Sequence, residues 1–228
     1  DSTLRERIER KYRMKNTMGY SLNAFLDHST PVALLSHLMI GSEGTLGFIA
    51  EAVLRTVPDY PLKHTGMLFF PDVPAACSAI VPLRESGART LELMDRASLA
   101  AVVGRPGVPD RIPGLPPTAA ALLLEYQEST DSDLAERLAG CHGLLPSLSL
   151  QSEPIFTRDP TQQADLWAVR KGLIPSVGAK RQRGTAMIIE DVVFPLEALA
   201  EGVRELQEMC ATHRYDDAIV FGHARDGN

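Results

Sequence analysis

The sequence predicts an α+β fold, with helices on one face of a mainly antiparallel sheet. Three observations carry this. From residue 61 onward, β-prone runs alternate with runs of helical period. A helix candidate returns between successive strand candidates. Two strand candidates, TLELMD and SLSLQSEP, alternate apolar and polar residues, as in a sheet with one wet face. The alternative is a doubly wound parallel sheet, which needs near-continuous apolar strands throughout.

The elements follow in order. Residues 3–12 read as a short helix and 15–30 as loop. Thr30 can cap a helix that has Pro31 at its first position and runs to about His37. Residues 48–57 read as a strand. Pro58 and Pro61 then punctuate, and a domain boundary is placed near residue 60, giving domains 1–60 and 61–228. HTGMLFF is a strand, DVPAACSAIVPLRES a helix with Pro82 near its end, TLELMD a strand and RASLAAVV a short helix. Residues 104–118, with five prolines and three glycines, form a surface loop. AAALLLEYQ is a buried strand. DSDLAERLAGCHGLL is a helix with Leu134, Leu138, Cys141 and Leu145 on one face, and SLSLQSEPIF is a strand. A helix over 160–177 opens on Asp159 and Pro160 and aligns Trp167, Arg170, Ile174 and Val177. TAMIIEDVVF is a strand. A last long helix after Pro195 turns Leu196, Leu199, Val203, Leu206 and Met209 inward, and DAIVFGH is the last strand.

Composition excludes several classes. The chain has 228 residues, 44% of them hydrophobic, enough for a real core. A net charge of −6 without a basic run disfavours nucleic acid as a partner. No apolar run approaches the length of a transmembrane segment, and DSTLRERIERKYRMKN does not read as a signal peptide. Cys77, Cys141 and Cys210 are far apart and form no C-x-x-C pair, as expected of free thiols in a reducing, cytoplasmic setting. The chain opens on a charged helical stretch and stops inside a polar cluster, so it is expected to be a fragment of a longer protein.

The stretch MIGSEGTLGFIAEAVLRTVP spaces Gly41, Gly44 and Gly47 as G-x-x-G-x-x-G. This matches neither the Rossmann nor the Walker pattern. Glycines leave backbone N–H groups uncovered, and successive uncovered groups form an anion-binding concavity. A glycine-rich connector without a ligand has the same spacing.

RKYRMKNTMGYSLNAF, IGSEGTLGFIAEAVLRTVP, LELMDRASL, LWAVRKGL, IIEDVVFP and FGHARDGN occur in that order. Together they resemble the FAD-linked oxidases of the vanillyl-alcohol oxidase type. The resemblance is to the D-lactate, glycolate and D-2-hydroxyglutarate dehydrogenase branch, and within it to long bacterial members with an iron–sulfur segment further on. It implies that residues 1–60 are the end of an α+β FAD-binding domain. It also implies that 61–228 form the substrate or cap domain, with a ferredoxin-like, mainly antiparallel sheet and helices.

By the same resemblance, Asn16, Gly19 and Tyr20 belong to one flavin-side loop, and Gly41, Ser42, Glu43, Gly44, Thr45 and Gly47 to a second. Arg170 in W-x-x-R binds the carboxylate of a small 2-hydroxy acid. His223 is the first His of a divalent-metal motif, for Zn or Mn, whose second His would fall beyond Asn228. Arg225 stands where shorter members have Gly, a bulky cation beside that loop. Ile174 and Ile189 stand where the D-2-hydroxyglutarate members carry Thr and Lys, which leaves the hydroxy acid open; the electron acceptor is open as well. The chain alone is then expected to be colourless and inactive. Glu190 and Asp191 interrupt an apolar strand and need partners, for which Lys180, Arg181 and Arg183 are candidates. A competing reading is a non-catalytic ferredoxin-like module for ligand binding or assembly.

Overall fold

The computed structural model describes residues 2–15, 19–188 and 191–228. Asn16, Ile189 and Glu190 lie outside the described residues. The chain divides into two compact units, Asp1–Asp59 with Glu190–Val193, and Tyr60–Ile189 with Phe194–Asn228.

The first unit holds α1 (Ser2–Lys11), α2 (Ala24–Asp27) and α3 (Pro31–Leu38). Helix α1 is polar nearly all round and buries only Ile8; Arg5 pairs with Glu9 one turn on, at 3.0 Å. The short α2 interrupts the stretch expected to be loop. Helix α3 starts as its sequence requires: Thr30 accepts from the Ala33 N–H, and Pro31, with no N–H to lose, opens the first turn. The strand expected over 48–57 does not form. Its backbone is irregular, and Phe48, Val53, Leu54 and Val57 are 81–95% exposed. β-prone residues make a strand only where a neighbouring backbone completes the ladder, and among the described residues none does.

The second unit is built on a five-stranded antiparallel sheet in the order β4-β1-β3-β2-β5. Its strands are β1 (Leu62–Phe70), β2 (Thr90–Met94), β3 (Ala120–Glu128), β4 (Ile155–Thr157) and β5 (Phe221–Gly222). Helices α4 (Val73–Glu85) and α6 (Asp131–Leu144) make the crossovers of a ferredoxin-like βαββαβ unit, with β5 added at the β2 edge. Helices α5 (Arg96–Ala101), α7 (Pro160–Lys171), α8 (Leu173–Lys180) and α9 (Leu199–Thr212) complete it. Asp72, Asp95, Thr130 and Asp159 each cap a helix by accepting a backbone N–H with the side chain. Pro82 lies in the last turns of α4, so only one helical hydrogen bond is lost and the helix runs through it.

Both sheet faces are covered, not one. Leu68, Phe70, Leu91, Leu93, Leu122, Leu124 and Tyr126 pack under α4, α6 and α9. Met67, Phe69, Met94, Ala121 and Leu123 pack against Leu99, Val102, Ile112, Leu166, Val169 and Leu173 of the opposite layer. Each fully buried Leu or Phe contributes roughly 1.5–3 kcal/mol. Glu92, the polar residue within the alternating run TLELMD, lies on this second face with Thr65 and Glu125, each at most 5% exposed. They are not wetted; they are buried and paired.

Other boundaries also shift. SLSLQSEPIF contributes only Ile155–Thr157 to the sheet, and DAIVFGH only Phe221–Gly222. In TAMIIEDVVF the described residues are not strand. The helix expected over 160–177 breaks at Gly172, where Arg105 donates to the Gly172 carbonyl at 3.0 Å and to the Ser176 hydroxyl at 2.8 Å. The proline loop drives Ile112 fully into the core. In α9 Leu199 and Val203 are buried, whereas Met209 is exposed.

Candidate functional site

Strand β5 pairs with β2 through Met94 and Phe221 and through Leu93 and Gly222. Continuing that antiparallel register sets His223 opposite Glu92. The His223 Nδ1 lies 2.7 Å from Glu92 Oε1. From the covering layer, Arg170 on α7 donates Nε–H to Glu92 Oε2 at 2.8 Å. The guanidinium carbon also stands 4.5 Å from the ring centroid of Phe221. The Glu92 side chain is 5% exposed, Arg170 15% and His223 51%. A buried carboxylate thus joins a guanidinium and a half-exposed imidazole at the sheet edge.

Helix α7 is seated by a second carboxylate. Trp167, one turn before Arg170, donates Nε1–H to Glu125 Oε2 at 2.8 Å. Glu125 also accepts from Thr65 Oγ1 at 2.8 Å and Gln127 Nε2 at 2.6 Å. Burying a carboxylate is costly unless donors meet both oxygens, and here they do. The Nη1 and Nη2 of Arg170 carry no hydrogen bond among the described residues, and neither is sealed from solvent. That edge is free to take an external anion.

The loop after β5 needs its glycines. Gly227 has φ 77°, and a Cβ there would run into the Phe194 carbonyl; one at Gly222 would run into the Asn228 backbone. Phe194 N–H donates to the Gly227 carbonyl at 2.9 Å, and Ala224 is buried. Arg225 donates Nε–H to the Ala88 carbonyl at 3.2 Å and stands 3.4 Å from Asp226. The bulky cation expected beside the loop is therefore held by these two groups.

A divalent metal is not accommodated by these residues alone. Both Glu92 oxygens are engaged and Asp226 faces Arg225, so His223 Nε2 is the donor left. Among the described residues no group of three or more His, Cys, Asp or Glu could hold an ion. Ile174, at the position of a substrate Thr in the resembling family, is 39% exposed on α8. Lys180 and Arg181 donate to the backbone carbonyls of Ala101, Gly178 and Thr185.

In the first unit the stretches around Tyr20 and around Thr45 touch. The Tyr20 hydroxyl lies 3.0 Å from Thr45 Oγ1, and Ser21 Oγ donates to the Ile40 carbonyl at 3.0 Å. A Cβ on Gly41 would come within 3.5 Å of the Gly19 carbonyl oxygen. Gly19, Gly41 and Gly44 have φ of 70°, 74° and 78°, and Glu43 follows them at 51°. Ser42 is buried, and its carbonyl accepts both N–H and Oγ1–H of Thr45, closing the turn. Gly47 packs against the Met39 side chain. Gly19 and Gly44 have open space where a Cβ would stand, and the Glu43 and Gly44 N–H groups carry no partner among the described residues. Uncovered N–H groups beside side-chain-free backbone fit close approach of a phosphate-bearing cofactor.

Sequence reasoning singled out Arg170 and His223 but not Glu92 and Phe221, which the structure brings against them, nor Glu125 beneath Trp167. The signal was there: a Trp and an Arg one helical turn apart on a buried face require two acceptors beneath them.

Residues 61–228 match the family described as FAD linked oxidases, C-terminal domain. The chain is 26% identical over 201 residues to the glycolate oxidase subunit GlcD of Bacillus subtilis, covering 85% of this chain and 40% of that protein. It is 29% identical over 205 residues to the mitochondrial D-lactate dehydrogenase (cytochrome) of Arabidopsis thaliana, covering 85% and 33%. It is 26% identical over 200 residues to the mitochondrial D-2-hydroxyglutarate dehydrogenase of the same plant, covering 85% and 34%. The chain spans about a third to two fifths of the length of these curated relatives. Among the described residues no helix is long and apolar enough to cross a membrane.

Proposed function

This chain belongs to the FAD-linked oxidases through their C-terminal domain, and from that membership we propose that it serves the oxidation of a D-2-hydroxy acid by hydride transfer to FAD. The substrate is of the D-lactate, glycolate or D-2-hydroxyglutarate type, the small acids named in its relatives. The activity is proposed for a protein with the full length of those relatives.

The observation that carries this reading is the guanidinium of Arg170. Its Nε is tied to Glu92 and its central carbon stands 4.5 Å from the Phe221 ring centroid, while both Nη groups stay open. Such an edge pairs bidentately with a carboxylate. Tying the other side down removes freedom that a surface Arg would lose on binding. His223 meets the same Glu92 through Nδ1, which leaves its Nε2 as an acceptor for the hydrogen of an α-hydroxyl. The reaction takes two electrons and one hydrogen from the α-carbon as hydride and one proton from the hydroxyl, leaving a 2-oxo acid. When bound, the flavin supplies the hydride acceptor. Gly19, Tyr20, Gly41, Ser42, Glu43, Gly44, Thr45 and Gly47 are assigned to its contact surface.

Anaerobic mixing of the flavin-loaded protein with glycolate, D-lactate and D-2-hydroxyglutarate tests this. At least one acid should bleach the oxidised-flavin absorbance, and its L-enantiomer, where one exists, should not. Bleaching by none of the three would contradict the reading.

A further inference from the structure

We infer that Arg105 is a positioning residue for Arg170: from the proline-rich loop it holds the break between α7 and α8, and so sets where the last turn of α7 presents the Arg170 guanidinium. That Arg170 clamps a carboxylate rests on the reading above; its placement by Arg105 does not.

The physical origin of the break is Pro175, the third residue of α8. It has no N–H for the Lys171 carbonyl one turn back, and its ring would clash with that carbonyl in a continuous helix. The chain must therefore bend near Gly172, but a missing bond fixes neither the angle nor the direction of the bend. Arg105 supplies what fixes them. Its Nη1 donates to the Gly172 carbonyl at 3.0 Å and to the Ser176 hydroxyl at 2.8 Å, one acceptor on each side of Pro175. A cation at this place also meets the negative end of α7. Gly172 suits the contact: a Cβ there would lie 2.8 Å from Nη1 and 3.0 Å from Cζ of Arg105. Its backbone, at φ −79°, is open to any residue, so the close approach and not the conformation asks for glycine.

Arg170 stands two residues before Gly172, and the Gly172 N–H joins the same helical ladder through the Ala168 carbonyl at 2.9 Å. Earlier in α7, Gln163 is anchored to the Lys63 carbonyl at 2.9 Å and Trp167 to Glu125 at 2.8 Å. At the far end of α8, Lys180 donates to the Ala101 carbonyl at 3.2 Å, which ties α8 to α5. Arg105 joins the two halves. Its loop is a firm base: the Arg105 N–H donates to the Val102 carbonyl at 3.1 Å, and Ile112 is fully buried. Gly107 packs against Asp165 of α7, where a Cβ would come within 2.5 Å of Oδ1. The loop thus touches α7 at Asp165 and at Gly172, about two turns apart, and brackets Trp167 and Arg170. Releasing Arg105 frees the bend. The Trp167 end of α7 keeps its anchors, while the last turn swings and carries the Arg170 guanidinium away from Glu92.

The test is nitrogen-15 NMR of the chain, which reads both ends of α7 at once. Trp167 is the one tryptophan, so its Nε1–H signal is unique. The Arg170 Nε–H signal is assigned by its loss in Arg170→Lys. Arg105→Ala should shift the Arg170 signal and speed its exchange with water, while the Trp167 signal stays in place. Arg105→Gln keeps more of the stem but is too short to reach Gly172, so it should act the same way and should fold if Arg105→Ala does not. An unchanged Arg170 signal in either folded variant would overturn the inference. Equal displacement of both signals would also overturn it, by showing a general loss of packing. In the flavin-loaded protein Arg105→Ala should weaken glycolate binding about tenfold to a hundredfold, the range that a misplaced group costs. If the Arg170 signal responds as stated but the wild type binds no glycolate, the Arg105 role stands and the hydroxy-acid reading fails.

Discussion

Trp167 and Arg170 lie one turn apart on α7, and each reaches a different buried carboxylate of the same sheet face, Glu125 and Glu92, at 2.8 Å. The W-x-x-R pair is therefore first a docking device. It seats the helix on the sheet through two charge-assisted hydrogen bonds, and the free edge of the second donor becomes the candidate site.

Trp167→Phe tests the docking half. The ring volume is nearly kept, but Glu125 Oε2 loses one of its two donors. Leaving a buried acceptor under-satisfied costs about 1–3 kcal/mol. Urea unfolding monitored by circular dichroism should show that loss; a change below about 0.5 kcal/mol, the scatter of neutral substitutions, would contradict it.

Arg170→Met removes the cation from a carboxylate that is 5% exposed. Breaking a buried pair on one side costs about 3–5 kcal/mol, whereas replacing both partners by apolar groups is often near neutral. The double variant Glu92→Leu with Arg170→Met should thus be more stable than Arg170→Met alone. Additive losses in the same unfolding series would show that the pair is not coupled.

The residues of the candidate site were legible in the sequence only one at a time. Arg170 and His223 stood out because ordered motifs carry them. Their common partner did not, since Glu92 and His223 are 131 positions apart and β5 pairs with β2 by a non-local ladder. Alternation in TLELMD placed Glu92 on the correct face, but alternation cannot distinguish water from a covering helix. Helices α3, α4, α6 and α7 were readable because caps and periodicity are local signals. The run 48–57 and the described residues of 185–194 misled for the opposite reason. Their residues favour strand, yet a strand exists only when another backbone meets it.

His64 gives a pH prediction. Both ring nitrogens are buried without a hydrogen-bond partner among the described residues. Burial, then the charges of Arg158 and His142, hold its pKa below the usual imidazole value. The unfolded chain then binds a proton more readily than the folded one. The stabilisation is complete above the unfolded value, about 6.5, and is lost as pH falls through the depressed folded value. Chemical denaturation across that range should show stability dropping toward acid, and His64→Leu should flatten the drop. An equal acid loss in the variant would assign the effect to other groups.

Gly227→Ala tests the loop that carries His223. The residue sits at φ 77°, and its Cβ would meet the Phe194 carbonyl. Left-handed backbone alone costs about 1–2 kcal/mol for a non-glycine residue. The variant should be destabilised by at least that amount and should broaden the His223 ring resonances. Sharp wild-type resonances at full stability would contradict the packing described.

Anaerobic stopped-flow reduction of the flavin-loaded protein by its best 2-hydroxy acid, comparing wild type with Arg170→Lys, tests the central claim most directly. Lysine keeps the charge but lacks the Nε donor and the planar fork. The account predicts that the variant still binds flavin but is reduced at less than about a hundredth of the wild-type rate at low substrate, reflecting lost bidentate pairing, worth about 3 kcal/mol. Reduction of the variant at the wild-type rate across the substrate range would contradict the assignment of Arg170 as the carboxylate clamp.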